Sequence, residues 1–183
     1  MELKNKLKNK PIIESNLKLE FKPRLQPTIV SILNLQIANE LQSSQIYRGM
    51  ACYLDNCGWT NAASYFFIAS DEELTHMNKI YDYLFSKNCK AITPEITKVN
   101  QEFKNIRDVI TKALEHEILV TEQWENIANI SCESKDRTTM FFSQWFLNEQ
   151  ITEESKFRNL LYMIDKGTPD WYLDKKFKSI GKE

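Results

Sequence analysis

Four helix-length stretches of this chain each carry an apolar stripe, and each stripe is broken near its middle by a carboxylate. In the first, Ile29, Leu33, Ile37, Glu40, Ser44, Tyr47, Ala51 and Leu54 share a face; in the second, Phe66, Ala69, Ser70, Glu73, His76, Met77, Ile80 and Leu84 do. The third reads Ile106, Ile110, Ala113, Glu117, Val120, Trp124 and Ile127, and the fourth Phe142, Phe146, Gln150, Glu153, Phe157, Leu160 and Ile164. This three-and-four spacing is that of amphipathic helices. A charge inside a helix core is costly, and four at matching depth ask for a common partner. A strongly positive group among the helices, a metal site inside a bundle, is the economical answer.

The stripes set the element boundaries. Helix A is expected from Pro27, a good first-turn residue, to about Asn56, where Cys57-Gly58 ends it. Helix B starts at a Thr60 cap and ends near Lys87-Asn88. Helix C follows residue 104 and reaches about Ile130; helix D runs from about Ser134 to Lys166, closed by Gly167 and Pro169. The tail Trp171, Tyr172, Leu173, Phe177 and Ile180 is spaced for a short fifth helix. Links A–B and C–D are short, so those pairs form antiparallel hairpins. The B–C segment, residues 89–104, contains Pro94 and no continuous stripe. It can extend to about 50 Å, enough to run the length of a helix of about 42 Å. The expectation is an all-α, ferritin-like four-helix bundle with one long crossover between B and C. Halfway stays halfway whichever way a helix runs, so the four carboxylates meet in one central layer.

Length and charge narrow the function classes. At 183 residues the chain suits one domain, residues 27–183, preceded by a basic extension over residues 1–26 that is expected to be flexible. The extension holds seven Lys/Arg against three Glu, so +4, and the overall charge of −1 leaves −5 for the rest. A net charge of −1 argues against general nucleic-acid binding. No apolar run reaches the roughly 18–20 residues of a membrane span, and the lysines at the start precede no signal-peptide apolar region. Cys52, Cys57, Cys89 and Cys132 form no Cys-x-x-Cys pair, which weakens zinc-ribbon, rubredoxin-type and thioredoxin-like readings. Scattered thiols of this kind suit a reduced, cytoplasmic protein.

Glu73 and His76, three residues apart, lie on one helix face. Glu-x-x-His is the ligand motif of di-iron carboxylate bundles, and carboxylate oxygens with an imidazole suit iron or manganese. Singly, Glu40, Glu117 and Glu153 each have a bland reading as solvated carboxylates on a misphased helix; together they do not. Glu115 and Glu154 point away from the stripes and read as surface groups, and His116 as an exposed or structural histidine. Tyr47, one heptad after Glu40, is either core or the redox neighbour of a metal. Trp124 and Trp145 read as core aromatics, and Met50 and Met77 as packing residues rather than haem ligands.

At these residues the chain resembles the bacterial non-haem ferritins. The matching blocks are Asn39-Glu40-Leu41-Gln42-Ser43-Ser44 through Tyr47, Asp71-Glu72-Glu73-Leu74-Thr75-His76-Met77, and Glu115-His116-Glu117. Two more are Gln144-Trp145-Phe146-Leu147-Asn148-Glu149-Gln150 with Glu153, and Pro169-Asp170-Trp171-Tyr172-Leu173-Asp174. They occur in family order between about Leu25 and Ile180. The resemblance implies a 24-subunit cage that stores ferric mineral, with a di-iron ferroxidase centre in each subunit acting on Fe2+ with O2 or H2O2. By matching position, one iron takes Glu40, Glu73 and His76. The second takes Glu73, Glu117 and Glu153, with Gln150 nearby and Tyr47 as redox neighbour. Glu72 and Glu149 match part of a third iron site, but Thr152 stands where the family commonly has another carboxylate.

Two other classes compete. A rubrerythrin-like peroxidase or an oxygenase would want a second Glu-x-x-His or a rubredoxin-type module of four cysteines, and helix D offers Gln150-x-x-Glu153 instead. A non-catalytic bundle for assembly or partner binding would leave the central carboxylates without a purpose.

Overall fold

In the computed structural model, which describes residues 22–180, the chain is five helices: α1 (Pro27–Asn56), α2 (Thr60–Ser86), α3 (Ile106–Glu133), α4 (Arg137–Asp165) and α5 (Asp170–Ile180). No strand is present among these residues. The ferritin-like bundle with a short fifth helix is the architecture found. The expectation of a flexible extension falls on residues outside the described part up to position 21. Its last residues already belong to the bundle: Leu25 is buried in the core, and the Arg24 amide donates to the Lys87 carbonyl at 2.9 Å.

The helix ends show where local chemistry won and where it did not. Asn105 caps α3 by accepting the Asp108 amide, and Asp136 caps α4 by accepting those of Thr138 and Thr139. The expected start of α4 at Ser134 is therefore displaced; Ser134 closes α3 instead. Nor does Thr60 cap α2. It is the first helical residue, and Trp59 before it supplies no side-chain acceptor. The acceptor comes from α5, where Asp174 takes the backbone amides of Asn61 and Ala62 at 3.1 and 3.0 Å. Gly167 has φ +74°, the left-handed value that ends α4 as expected.

α1 packs against α2 and α3 against α4, and residues 87–105 tie the two hairpins together by running along α1. Asn34 meets this crossover at Lys90 and Ile92, Gln42 meets it at Thr97, and the Tyr53 ring meets Phe103. Contacts that advance together along both segments show that the crossover travels in the direction of α1. At Gly49 the crossover backbone passes close to α1; a Cβ there would lie 3.1 Å from the Asn100 carbonyl oxygen. α3 therefore begins beside the end of α1 and runs antiparallel to it.

The buried apolar residues fall into two clusters. One holds Tyr47, Met50, Leu54, Phe66, Ile110, Phe157 and Phe177. The other holds Leu33, Ile37, Ile80, Leu84, Trp124 and Phe146. Between them lies a polar layer of Glu40, Ser44, Ser70, Glu73, Glu117 and Gln150, all buried. A core split by a charged layer forfeits apolar packing in its middle, which points to use rather than stability.

Candidate metal centre

Each helix of the bundle delivers its polar residue to that layer because the three-and-four stripe stays in phase for the whole helix. Every stripe residue of α1 and of α3 is buried, the carboxylates included. Glu40 is 1% exposed. Its Oε1 accepts hydrogen bonds from Gln36 Nε2 at 2.8 Å and from the Trp124 indole N–H at 3.2 Å. Its Oε2, buried, has no hydrogen-bond partner. That oxygen lies 3.9 Å from His76 Nδ1, which is also 3.3 Å from Glu73 Oε2. Ligand atoms of Glu40, Glu73 and His76 all lie within 4.8 Å of one another. A buried carboxylate oxygen without a partner is unfavourable by itself, and a cation between these three groups removes the penalty. The donor set, hard oxygens plus one imidazole, fits iron.

Glu117 faces the same cavity from α3. Gln150 Nε2 donates to its Oε2 at 2.6 Å, and the Tyr47 hydroxyl donates to its Oε1. Glu153 is partly buried and its Oε1 accepts from Lys156 Nζ at 2.8 Å. The cavity, about 470 Å³, is lined by all of these ligand candidates except Glu40 and Gln150, and by Glu72, Glu149 and Thr152 at its outer side. Burial pushes the Glu73 carboxyl up to about 7 and that of Glu117 up to about 8, with Glu153 adding to both. Burial and the neighbouring Glu73 raise Glu40 well above the usual carboxylate range. Without cations these groups favour protons, and a metal ion competes for the same lone pairs.

The layer gathers the sequence candidates at unequal closeness. Glu40, Glu73 and His76 converge; Glu117 and Gln150 are hydrogen-bonded partners beside them; Glu153 is turned to a lysine. Glu72 is exposed and Glu149 partly so, and both line the outer cavity. His116 is partly buried rather than exposed, its Nε2 2.8 Å from Ser43 Oγ and its ring edge-on to Tyr47. Burial holds it near 4, well below the usual histidine value. Tyr47 is buried in the core, with its hydroxyl on Glu117 and its ring lining the cavity. Trp145 departs from expectation: it is 38% exposed rather than core. Phe146 takes the inward position of α4, and a neighbour about 100° round the helix cannot share it. Trp145 instead sets its edge against His76, and Lys79 Nζ sits 3.5 Å above its ring. Sequence reasoning missed Gln36, the indole of Trp124 as a donor, and Lys156. Of these Lys156 left a trace, standing three residues after Glu153 on the same face.

A long bundle with a lengthwise crossover and a buried carboxylate–histidine layer defines a class, the helical proteins that build metal sites between their helices. Residues 30–166 match the family model of the ferritin-like domain, and the chain belongs to the ferritin family. A probable bacterial non-heme ferritin-like protein of Haemophilus influenzae is 31% identical over 99 residues, which are 54% of this chain and 60% of that protein. A bacterial non-heme ferritin of Campylobacter jejuni is 29% identical over 98 residues, 54% of this chain and 59% of that one. The match thus spans about three-fifths of these relatives' length. Among solved structures, an open pore ferritin of the archaeon Archaeoglobus fulgidus superposes with a TM-score of 0.82 at 24% identity, over 86% of this chain and 98% of that one. A humanized archaeal ferritin gives 0.80 at 26% identity, over 84% and 96%.

Proposed function

We propose that this protein is an iron-storage ferritin with ferroxidase activity. It takes up Fe2+, oxidises it two ions at a time, and passes Fe3+ to a mineral inside a cage of 24 copies. The observation that carries the reading is the unpartnered Glu40 Oε2, buried and facing Glu73 and His76. Glu40, Glu73 and His76 hold the first Fe2+; Glu73, Glu117 and Glu153 hold the second. Gln150 donates to Glu117 Oε2 and so orients this cavity-lining carboxylate. Two Fe2+ each give one electron, and O2 with two protons becomes H2O2; with H2O2 as oxidant the product is water. The Tyr47 hydroxyl, on Glu117, is placed to pass a proton or an electron. The carboxylates stabilise the rising positive charge of the oxidised ions.

The outer position of Glu72 and Glu149 has a neutral hydroxyl at Thr152, and it serves as a transit point rather than a tight site. Scattered cysteines, all free among the described residues, suit a reduced cytoplasmic setting. Size-exclusion chromatography with an iron assay tests the whole reading. A particle of 24 chains of 21.6 kDa that accumulates many irons per chain is expected. A small species that stops at two irons per chain would instead indicate a di-iron oxidoreductase without storage.

A further inference from the structure

The cavity that receives the second ion is not free of positive charge. Lys156 lies on α4, one turn after Glu153, and its Nζ sits 2.8 Å from Glu153 Oε1. The two side chains are only 19% and 20% exposed, so water screens the pair far less than a surface contact. Lys156 lines the same cavity as Glu72, Glu73 and Glu117. Its charge opposes the rise that burial imposes on Glu72 and Glu117. Lys79 lines this cavity too, but its ammonium rests on the Trp145 ring. On the other side of the layer Glu40 Oε2 has no such partner.

We infer that Lys156 is a tethered competitor for the second cation position, so that the two metal positions fill in order. This rests on the paired-site reading proposed above. The first ion meets an unpartnered carboxylate oxygen beside the His76 imidazole. The second must take Glu153 from an ammonium group already 2.8 Å away, and must leave that ammonium to find water. A lysine suits the task, because its charge is compact and its four-carbon stem can swing out once displaced. The device keeps Glu153 neutralised in the metal-free chain and restricts the site to one ion until Fe2+ is plentiful. A lone Fe2+ held by Glu40, Glu73 and His76 then waits for a partner before two electrons are drawn together.

The experiment is an anaerobic titration of the metal-free, full-length protein with Co2+, followed by calorimetry and by the visible absorption of bound cobalt. The natural chain should bind one Co2+ tightly and a second at least about tenfold more weakly. In Lys156→Met the second affinity should rise by about tenfold or more, while the first changes less than about twofold. Lys156→Arg keeps the charge and should keep the weak second step. Where Lys156→Met fails to fold, Lys156→Gln removes the charge with less apolar surface and is read the same way. A second step that is equally tight in the natural chain and in the uncharged variants overturns the competition. Absence of any tight Co2+ in a natively helical protein overturns the paired-site reading itself.

Discussion

At the residue scale, the buried carboxylates of the central layer dominate the energetics. An unfolded glutamate titrates near 4.5, whereas folded Glu73 lies at about 7 and folded Glu117 at about 8. Between these values the folded metal-free chain binds more protons than the unfolded chain. The stability from these groups is full below pH 4.5 and is lost as pH rises through 7 to 8. The melting temperature of metal-free protein should accordingly fall from about pH 5.5 to about pH 8.5, and Co2+ should remove most of that slope. Glu117→Gln should flatten it without metal; a slope of the opposite sign would refute the protonation account. In the proposed paired site, Glu73 is the ligand shared by both metal positions. Glu73→Gln keeps the volume, so it should leave the helical fold intact while slowing initial Fe2+ oxidation by about tenfold or more. Stopped-flow kinetics that match the unaltered protein would remove Glu73 from the site.

At the scale of elements, α2 and α5 form one unit through Asp174. Its carboxylate accepts both Asn61 and Ala62 amides and the Asn61 side-chain amide at 2.6 Å. Asp174→Ala should cost about 1 kcal/mol, the usual worth of an N-cap, measured as a lowered urea midpoint. Amide exchange should quicken at Asn61 and Ala62 and stay unchanged in α3. Gly49 governs the other inter-element contact. A side chain there meets the Asn100 carbonyl, Gln101 and Val99, so Gly49→Leu should push the crossover off α1. A loss of about 1–3 kcal/mol is expected, as for other overpacked sites. Unchanged stability with protected crossover amides would show that this segment shifts freely.

At the scale of the molecule, large apolar residues remain on the surface: Leu35, Phe85, Ile92, Phe141, Ile151 and Trp171 are each more than half exposed. For the cage and ferroxidase activity proposed above, deleting residues 1–21 should leave the particle and its oxidation rate unaltered, as read by light scattering and kinetics. Deleting residues 1–26 removes Leu25 and the Arg24–Lys87 hydrogen bond as well, and should lower the melting temperature. Loss of the particle on the shorter deletion would make the extension part of the shell. Among the described residues no helix is long and apolar enough to cross a membrane.

The helices, their order and the depth of their carboxylates were legible in the chain because each depends on local periodicity and loop length. A stripe at 3.6 residues per turn states which residues share a face, and a carboxylate at its middle states how deep it lies. Glu40, Glu73, His76, Glu117 and Gln150 could thus be named before any helix was placed beside another. Which atoms meet was another matter. The Trp124 indole reaches Glu40 across 84 residues of sequence, and Asp174 reaches Ala62 across 112. The stripe of α4 already set Phe146 inward, and the same periodicity turns Trp145 outward, against the reading of both as core. Helix packing also left Glu40 Oε2 bare and brought Gln150 and Tyr47 to Glu117. Periodicity is a property of one helix and brings Gln36 to Glu40 and Lys156 to Glu153, whereas the partners that reach a ligand oxygen from another helix, Trp124, Gln150 and Tyr47, are set by how two helices pack, and that was decided only in the tertiary structure.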